Sequence, residues 1–245
     1  MMPYPTRLIE GGNVSIGNDA FALSRPVHTI QLTPYRLMTG TVTNQQYAQF
    51  VAAGGYRTEI GWTAMGWRWR QSKSDLMPAF WNDPSFNHPD QPIVGITWYE
   101  AVAFANWVSA ESNQLWRLPT EIEWEAAAQS EGTGTIHTAM RGVQGTIPVI
   151  GQGYYAANGL WNMLGNVWEW CSTAWGRNWQ QLDHSYPYQA DDGRENGEGS
   201  FARIMRGGSW FDPIQEAHSS KRARYLPGSR ASNIGFRLVQ DITIV

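Results

Sequence analysis

The sequence predicts an α+β fold of low regular secondary structure, on three observations. Helix signals are confined to three segments between residues 43 and 128, while strand-like alternation comes in short runs towards both ends of the chain. The 245 residues include 14 Trp and 25 Gly, and only 16% are charged, against roughly 25% in ordinary soluble domains. Lys73 and Lys221 are the only lysines, so 16 of the 18 basic residues are arginine. Such a chain is expected to hold an irregular backbone together by aromatic packing and hydrogen-bonded guanidinium groups. Its length suits one domain with a sizeable core, and no repeat or low-complexity linker divides it, so residues 1–245 read as a single domain.

The elements follow in order. RLIEGGNVSIG and VHTIQLTPYRL, within 7–37, alternate apolar and polar residues between Gly and Pro and predict short strands. Thr43 with Gln46 forms a capping box ahead of Tyr47, Phe50 and Val51, predicting a helix that stops at Gly54-Gly55. Residues 56–92 hold Trp62, Trp67, Trp69, Phe80 and Trp81 without a sustained period and are expected to be an ordered aromatic loop region. Thr97 and Glu100 open a second helix with Trp98, Ala101, Val102, Ala105 and Val108 on its apolar stripe. A third begins at Pro119-Thr120, with acids in its first turn. No helix is expected after residue 130; strands are expected at 203–210 and 234–239.

Net charge is −3 and the pI about 5.9, which disfavours nucleic acid or an anionic membrane as partner. The lone Cys171 excludes an internal disulfide and a Cys-rich metal site. No apolar run is long enough to span a membrane and no secretory h-region is visible, so a soluble, cytoplasmic protein is expected. The five histidines are scattered without ligand spacing, and P-loop, GxGxxG and GxSxG motifs are missing. Glu121, Glu123 and Glu125 are expected to serve the helix start, one of them paired with Arg117. In Asn162-x-x-Gly165-x-Val167-x-Glu169, an amide oxygen, turn carbonyls and a carboxylate form a hard-oxygen set of the kind calcium prefers.

Taken together, IEGGNVSIG, PVHTIQL, TVTNQQYAQF, the segment FWNDPSFNHPDQPIVGITWYEAVAFANW, WRLPTEIEWEAAA, NMLGNVWEW and RIMRGGSW…NIGFRLV resemble the formylglycine-generating enzyme (sulfatase-modifying factor) family over about residues 7–240. The resemblance implies a C-type-lectin-like fold of the formylglycine-generating-enzyme type. It places the family's two copper-binding cysteines at Asp212 and Ala217, so copper and cysteine-to-formylglycine oxidation are not expected. It carries the family's calcium site onto Asn162, Gly165, Val167 and Glu169. Relatives that make ergothioneine sulfoxide add a helical bundle with iron-binding histidines; no such bundle is read in these 245 residues, so an iron enzyme of that type is not expected. The chain also resembles the variable proteins of diversity-generating retroelements, which end in RGGSW…NIGFRLV and present a C-terminal ligand surface altered by adenine-directed mutagenesis. That comparison implies a surface of Phe211, Asp212, Pro213, Ala223, Arg224, Tyr225, Leu226, Ser229, Ala231, Ser232 and Asn233. Mutating the adenines of an Asn codon never yields Lys, Gln, Glu, Met or Trp, and none of these occurs at those positions, whereas Gln215, Glu216 and Lys221 sit at positions read as fixed. The resulting expectation is a non-catalytic protein whose 211–233 surface, with Arg222 and Arg230 also displayed, binds a protein or small-molecule ligand. The competing expectation is a divergent metal-dependent oxidase or maturation factor.

Overall fold

The computed structural model describes residues 4–139 and 144–242, so residues 140–143 of the Gly- and Thr-rich stretch at 131–160 lie outside the described residues. Four short strands open the chain: β1 (Thr6–Ile9), β2 (Gly12–Ile16), β3 (His28–Leu32) and β4 (Tyr35–Met38). Helix α1 (Asn44–Ala52) starts at the expected capping box: Thr43 accepts from the Gln46 amide and Gln46 accepts from the Thr43 amide. Helix α2 (Ala64–Gln71) then lies inside the stretch expected to be loop. Its sequence, AMGWRWRQ, has no apolar stripe. Packing holds it, because Gly66 lets Tyr99 and Trp62 approach within 3.2 and 3.3 Å of where a Cβ would stand. Helix α3 (Trp98–Ser112), strand β5 (Trp116–Arg117) and helix α4 (Glu121–Ala128) follow, both helices beginning with complete capping boxes.

Beyond α4 come β6 (Gly132–Thr133), β7 (Tyr155–Ala156), β8 (Trp168–Gly176), β9 (Ala202–Arg206), β10 (Ala223–Tyr225), β11 (Ile234–Gly235) and β12 (Val239–Asp241). The longest strand, β8, is WEWCSTAWG. It is buried on both faces and so lacks the alternation that marks a half-exposed strand. The strand expected at 203–210 ends at Arg206, because Gly207 and Gly208 both take positive φ. A Cβ at Gly208 would stand 2.8 Å from the Ala217 backbone, so only glycine allows this crossing.

Two four-stranded sheets result, in the orders β1-β4-β12-β5 and β10-β9-β8-β11, with β2-β3 and β6-β7 as separate ribbons. One core cluster lies under α1 and α3, where Tyr47, Phe50, Phe104 and Phe236 pack edge to face or stacked. The other lies between α4, β8 and β9 around Trp124, Trp175 and Ile204. Arg203, Arg206 and Arg237 are fully buried in this framework. Arg203 lies 3.9 Å above the Trp98 ring, and burial without a carboxylate in contact lowers its pKa to about 10. The expected use of arginine as planar internal cement is met.

Candidate functional site

The C-terminal surface grows out of β9. After Gly208 the chain turns at Ser209, Trp210, Phe211 and Asp212. Ser209 donates to the Asp212 carboxylate, Trp168 donates to the same carboxylate at 2.9 Å, and Asn233 donates to the Ser209 hydroxyl at 3.0 Å. Trp210 reaches across to the Ser232 carbonyl at 3.3 Å. The 209–212 turn and the 231–233 segment entering β11 therefore sit side by side, with Phe211 67% exposed above them. Between β10 and β11 the chain passes over the start of α3. The Trp98 amide bonds to the Pro227 carbonyl, and Arg230 forms a two-point pair with Glu100 at 2.6 and 3.1 Å. Tyr56 and Thr97 complete the bonding around that carboxylate.

None of Phe211, Asp212, Pro213, Ala223, Arg224, Tyr225, Leu226, Ser229, Ala231, Ser232 and Asn233 is buried. Tyr225 and Leu226 are each 42% exposed. Two neighbours expected to be displayed are not: Arg222 is buried in a two-point pair with Glu121 at 2.7 and 2.9 Å, and Arg230 is committed to Glu100. They are clamps, alternating in sequence with exposed residues. The eleven positions also do not share one face. Ala223 packs on the cluster under α3, whereas Arg224, the next residue of a strand, projects to the opposite side and stacks 4.7 Å from Trp175. Trp179, 51% exposed, adjoins Arg224 and had no local pattern to mark it. Ile214, 48% exposed, extends the patch around Phe211.

Asp212, one of the two positions the resemblance sets against the family's cysteines, is held by Trp168 and Ser209, and Ala217, the other, is packed against Gly208. Cys171 lies elsewhere, fully buried in β8, where burial pushes its thiol well above the ordinary range and keeps it from acting as a thiolate. Among the described residues, no three His, Cys, Asp or Glu side chains cluster as a metal site.

Of the expected calcium ligands, the Asn162 and Glu169 side chains are engaged within the chain. Both Glu169 oxygens are taken by Arg237 at 2.7 Å, and Trp124 adds a third bond at 2.8 Å. The Asn162 oxygen accepts from the Tyr154 amide, and its nitrogen donates to the Gln152 carbonyl at 3.0 Å. Gly165 gives its amide to the Gly207 carbonyl, and Val167 belongs to a small apolar cluster with Phe86 and Val94. In this arrangement the cation facing Glu169 is a guanidinium. The two side-chain oxygen groups expected to hold calcium, those of Asn162 and Glu169, thus already have partners within the chain. Glu121, Glu123 and Glu125 are structural as expected, paired with Arg222, Arg117 and Arg206 respectively.

The family model for the sulfatase-modifying factor enzyme 1-like domain matches residues 4–145 and 137–242. A formylglycine-generating enzyme from Thermomonospora curvata is 30% identical over 95% of this chain and 92% of its own. A hercynine oxygenase from Mycolicibacterium thermoresistibile is 32% identical over 94% of this chain, which spans 56% of that protein's length. Among solved structures, Treponema denticola variable protein 1 superposes with a TM-score of 0.70 at 23% identity, covering 97% of this chain and 95% of that one. PvdO from Pseudomonas aeruginosa superposes with a TM-score of 0.68 at 19% identity, covering 99% and 100%. These likenesses establish a C-type-lectin-like fold of the formylglycine-generating-enzyme type.

Proposed function

This chain belongs to the sulfatase-modifying factor enzyme 1-like domain family, and from that premise we propose that it binds a ligand and does not oxidise cysteine. The observation that supports this best is the division of labour in 209–233. Arg222 and Arg230 anchor the backbone through buried carboxylates, while Tyr225 and Leu226 stand exposed between them and Phe211 stands exposed on the preceding turn. Aromatic and aliphatic groups on a rigid support lose little entropy on binding and so make effective anchors. Asp212 and Ala217 stand where oxidation would need two thiolates. Within this reading the chain is a retroelement-diversified variable protein, and its ligand is a protein or a small molecule.

Two measurements test the reading. Incubating the protein and copper with a sulfatase-type cysteine peptide should leave the peptide thiol intact by mass spectrometry; enzyme-dependent aldehyde would return the chain to the oxidases. Sequencing the locus in sister isolates should find substitutions concentrated at the eleven positions, with Arg222 and Arg230 constant. Changes spread evenly along the gene would remove the diversified-surface reading.

A further inference from the structure

Strand alternation turns Arg224 away from its neighbours Ala223 and Tyr225, and it lines a groove that Phe211, Tyr225 and Leu226 do not line. The groove has a volume of about 430 Å³ and runs between residues 20–24 and 221–224. Its outer wall is a closed turn, braced by bonds from the Asn18 amide to the Ser24 carbonyl and from the Ser24 amide to the Phe21 carbonyl. Ser24 donates to the Ser220 carbonyl, and Arg222 donates to the Leu23 carbonyl at 2.9 Å, so the wall is tied to the chain that enters β10. Leu23 is nevertheless 39% exposed.

The charges lining the groove are unequal. Lys221 is neutralised by Glu216 at 2.6 Å, and Arg222 by Glu121. Arg224 is held between Trp175 and Trp179 with its Nε donating to the Trp179 carbonyl at 2.8 Å. Among the described residues no carboxylate pairs with it, and no acceptor meets its terminal nitrogens. A guanidinium oriented by stacking and one carbonyl, with its two-pronged end open, is preorganised for a carboxylate. The strand beside it, β10, is the last of its sheet and has a neighbour only in β9.

We propose that this groove receives an extended acidic segment of a partner protein, its carboxylate paired with Arg224 and its backbone laid along the outer edge of β10. Strand addition supplies the main-chain bonds, and the single uncompensated charge supplies the selectivity. Phe211, Tyr225 and Leu226 do not line this groove, so ligand binding there and at those three residues can fail separately. Arg224 is shared with the eleven positions, so the site is that of this sequence and would change wherever Arg224 is replaced.

The test is an NMR titration of the whole protein with an acetylated, amidated heptapeptide of threonines around one central glutamate, alongside its glutamine counterpart and inorganic phosphate. The glutamate peptide should shift the Arg224 Nε–H and the amides of 223–225, binding about tenfold or more tighter than the glutamine peptide, as expected for a charge-assisted pair. R224Q should abolish the preference, and R224K should weaken it. No shift, equal shifts with both peptides, or a response to phosphate as strong as to the glutamate peptide would overturn the proposal. So would shifts at 223–225 that depend on protein concentration without peptide, because a second copy would then be the occupant. F211A, outside the groove, should leave this titration unchanged.

Discussion

Replacing Arg237 with methionine removes the charge at nearly constant length, in a pair whose side chains are each exposed by 1% or less. The guanidinium holds both Glu169 oxygens at 2.7 Å and bonds the Trp161 and Met38 carbonyls at 2.9 and 3.1 Å. It thus joins β8, the end of β4 and the 161 turn to the C-terminal segment. In R237M, Glu169 keeps only the Trp124 N–H and becomes a buried charge without a counterion. Breaking such a pair costs about 3–5 kcal/mol, a large share of the roughly 5–15 kcal/mol that holds a typical domain. Urea unfolding followed by the fluorescence of the 14 tryptophans reads this directly. The double variant E169L/R237M should lose less than R237M alone, since no orphan charge remains. Because arginine already fills the cationic role, a chelator or added calcium should leave the unfolding midpoint of the unchanged protein where it is. A loss below about 1 kcal/mol, the range of an exposed pair, would refute the reasoning, as would a calcium-dependent midpoint.

Other outcomes follow from the same geometry. F211A, Y225A and L226A, at exposed positions, should each change stability by within about 0.5 kcal/mol in urea unfolding, while removing any ligand contact they make. R230A strands the buried Glu100 carboxylate beside Tyr56; amide hydrogen exchange should speed up across 226–233 before the rest of the domain opens. Glu195 is bonded by the hydroxyls of Ser172, Thr173 and Tyr188 and has its pKa raised, chiefly by burial. The folded state therefore holds this proton more tightly than the unfolded chain, so its contribution to stability falls as pH rises from the ordinary value of 4.5 through the raised one. E195Q should be more stable than the unchanged protein at neutral pH, with the difference vanishing below pH 4.5 in a melting series; a gap that persists in acid would point to a packing effect.

Local chemistry was legible in the sequence wherever one short segment carried the whole cause. The capping boxes at Thr43, Thr97 and Thr120 appear as read, because each is closed by residues three apart. The four N-terminal strands were legible from alternation at a half-exposed surface. The family motifs, RLPTEIEWE, GNVWEW and RGGSW…GFR, were legible as residue strings. Tertiary structure decided the rest. It made a helix of AMGWRWRQ through contacts with Tyr99, and a doubly buried strand of WEWCSTAWG through α4 and β9. It gave Glu169 to Arg237, 68 residues away, and Glu100 to Arg230, 130 residues away. A motif names the donors a segment can offer, but which partner takes them depends on chain brought back from far along the sequence. For the same reason, half-buried Arg224, unpaired among the described residues, and buried, paired Arg222, two residues apart, could be told apart only once Glu121 had been placed beside one of them.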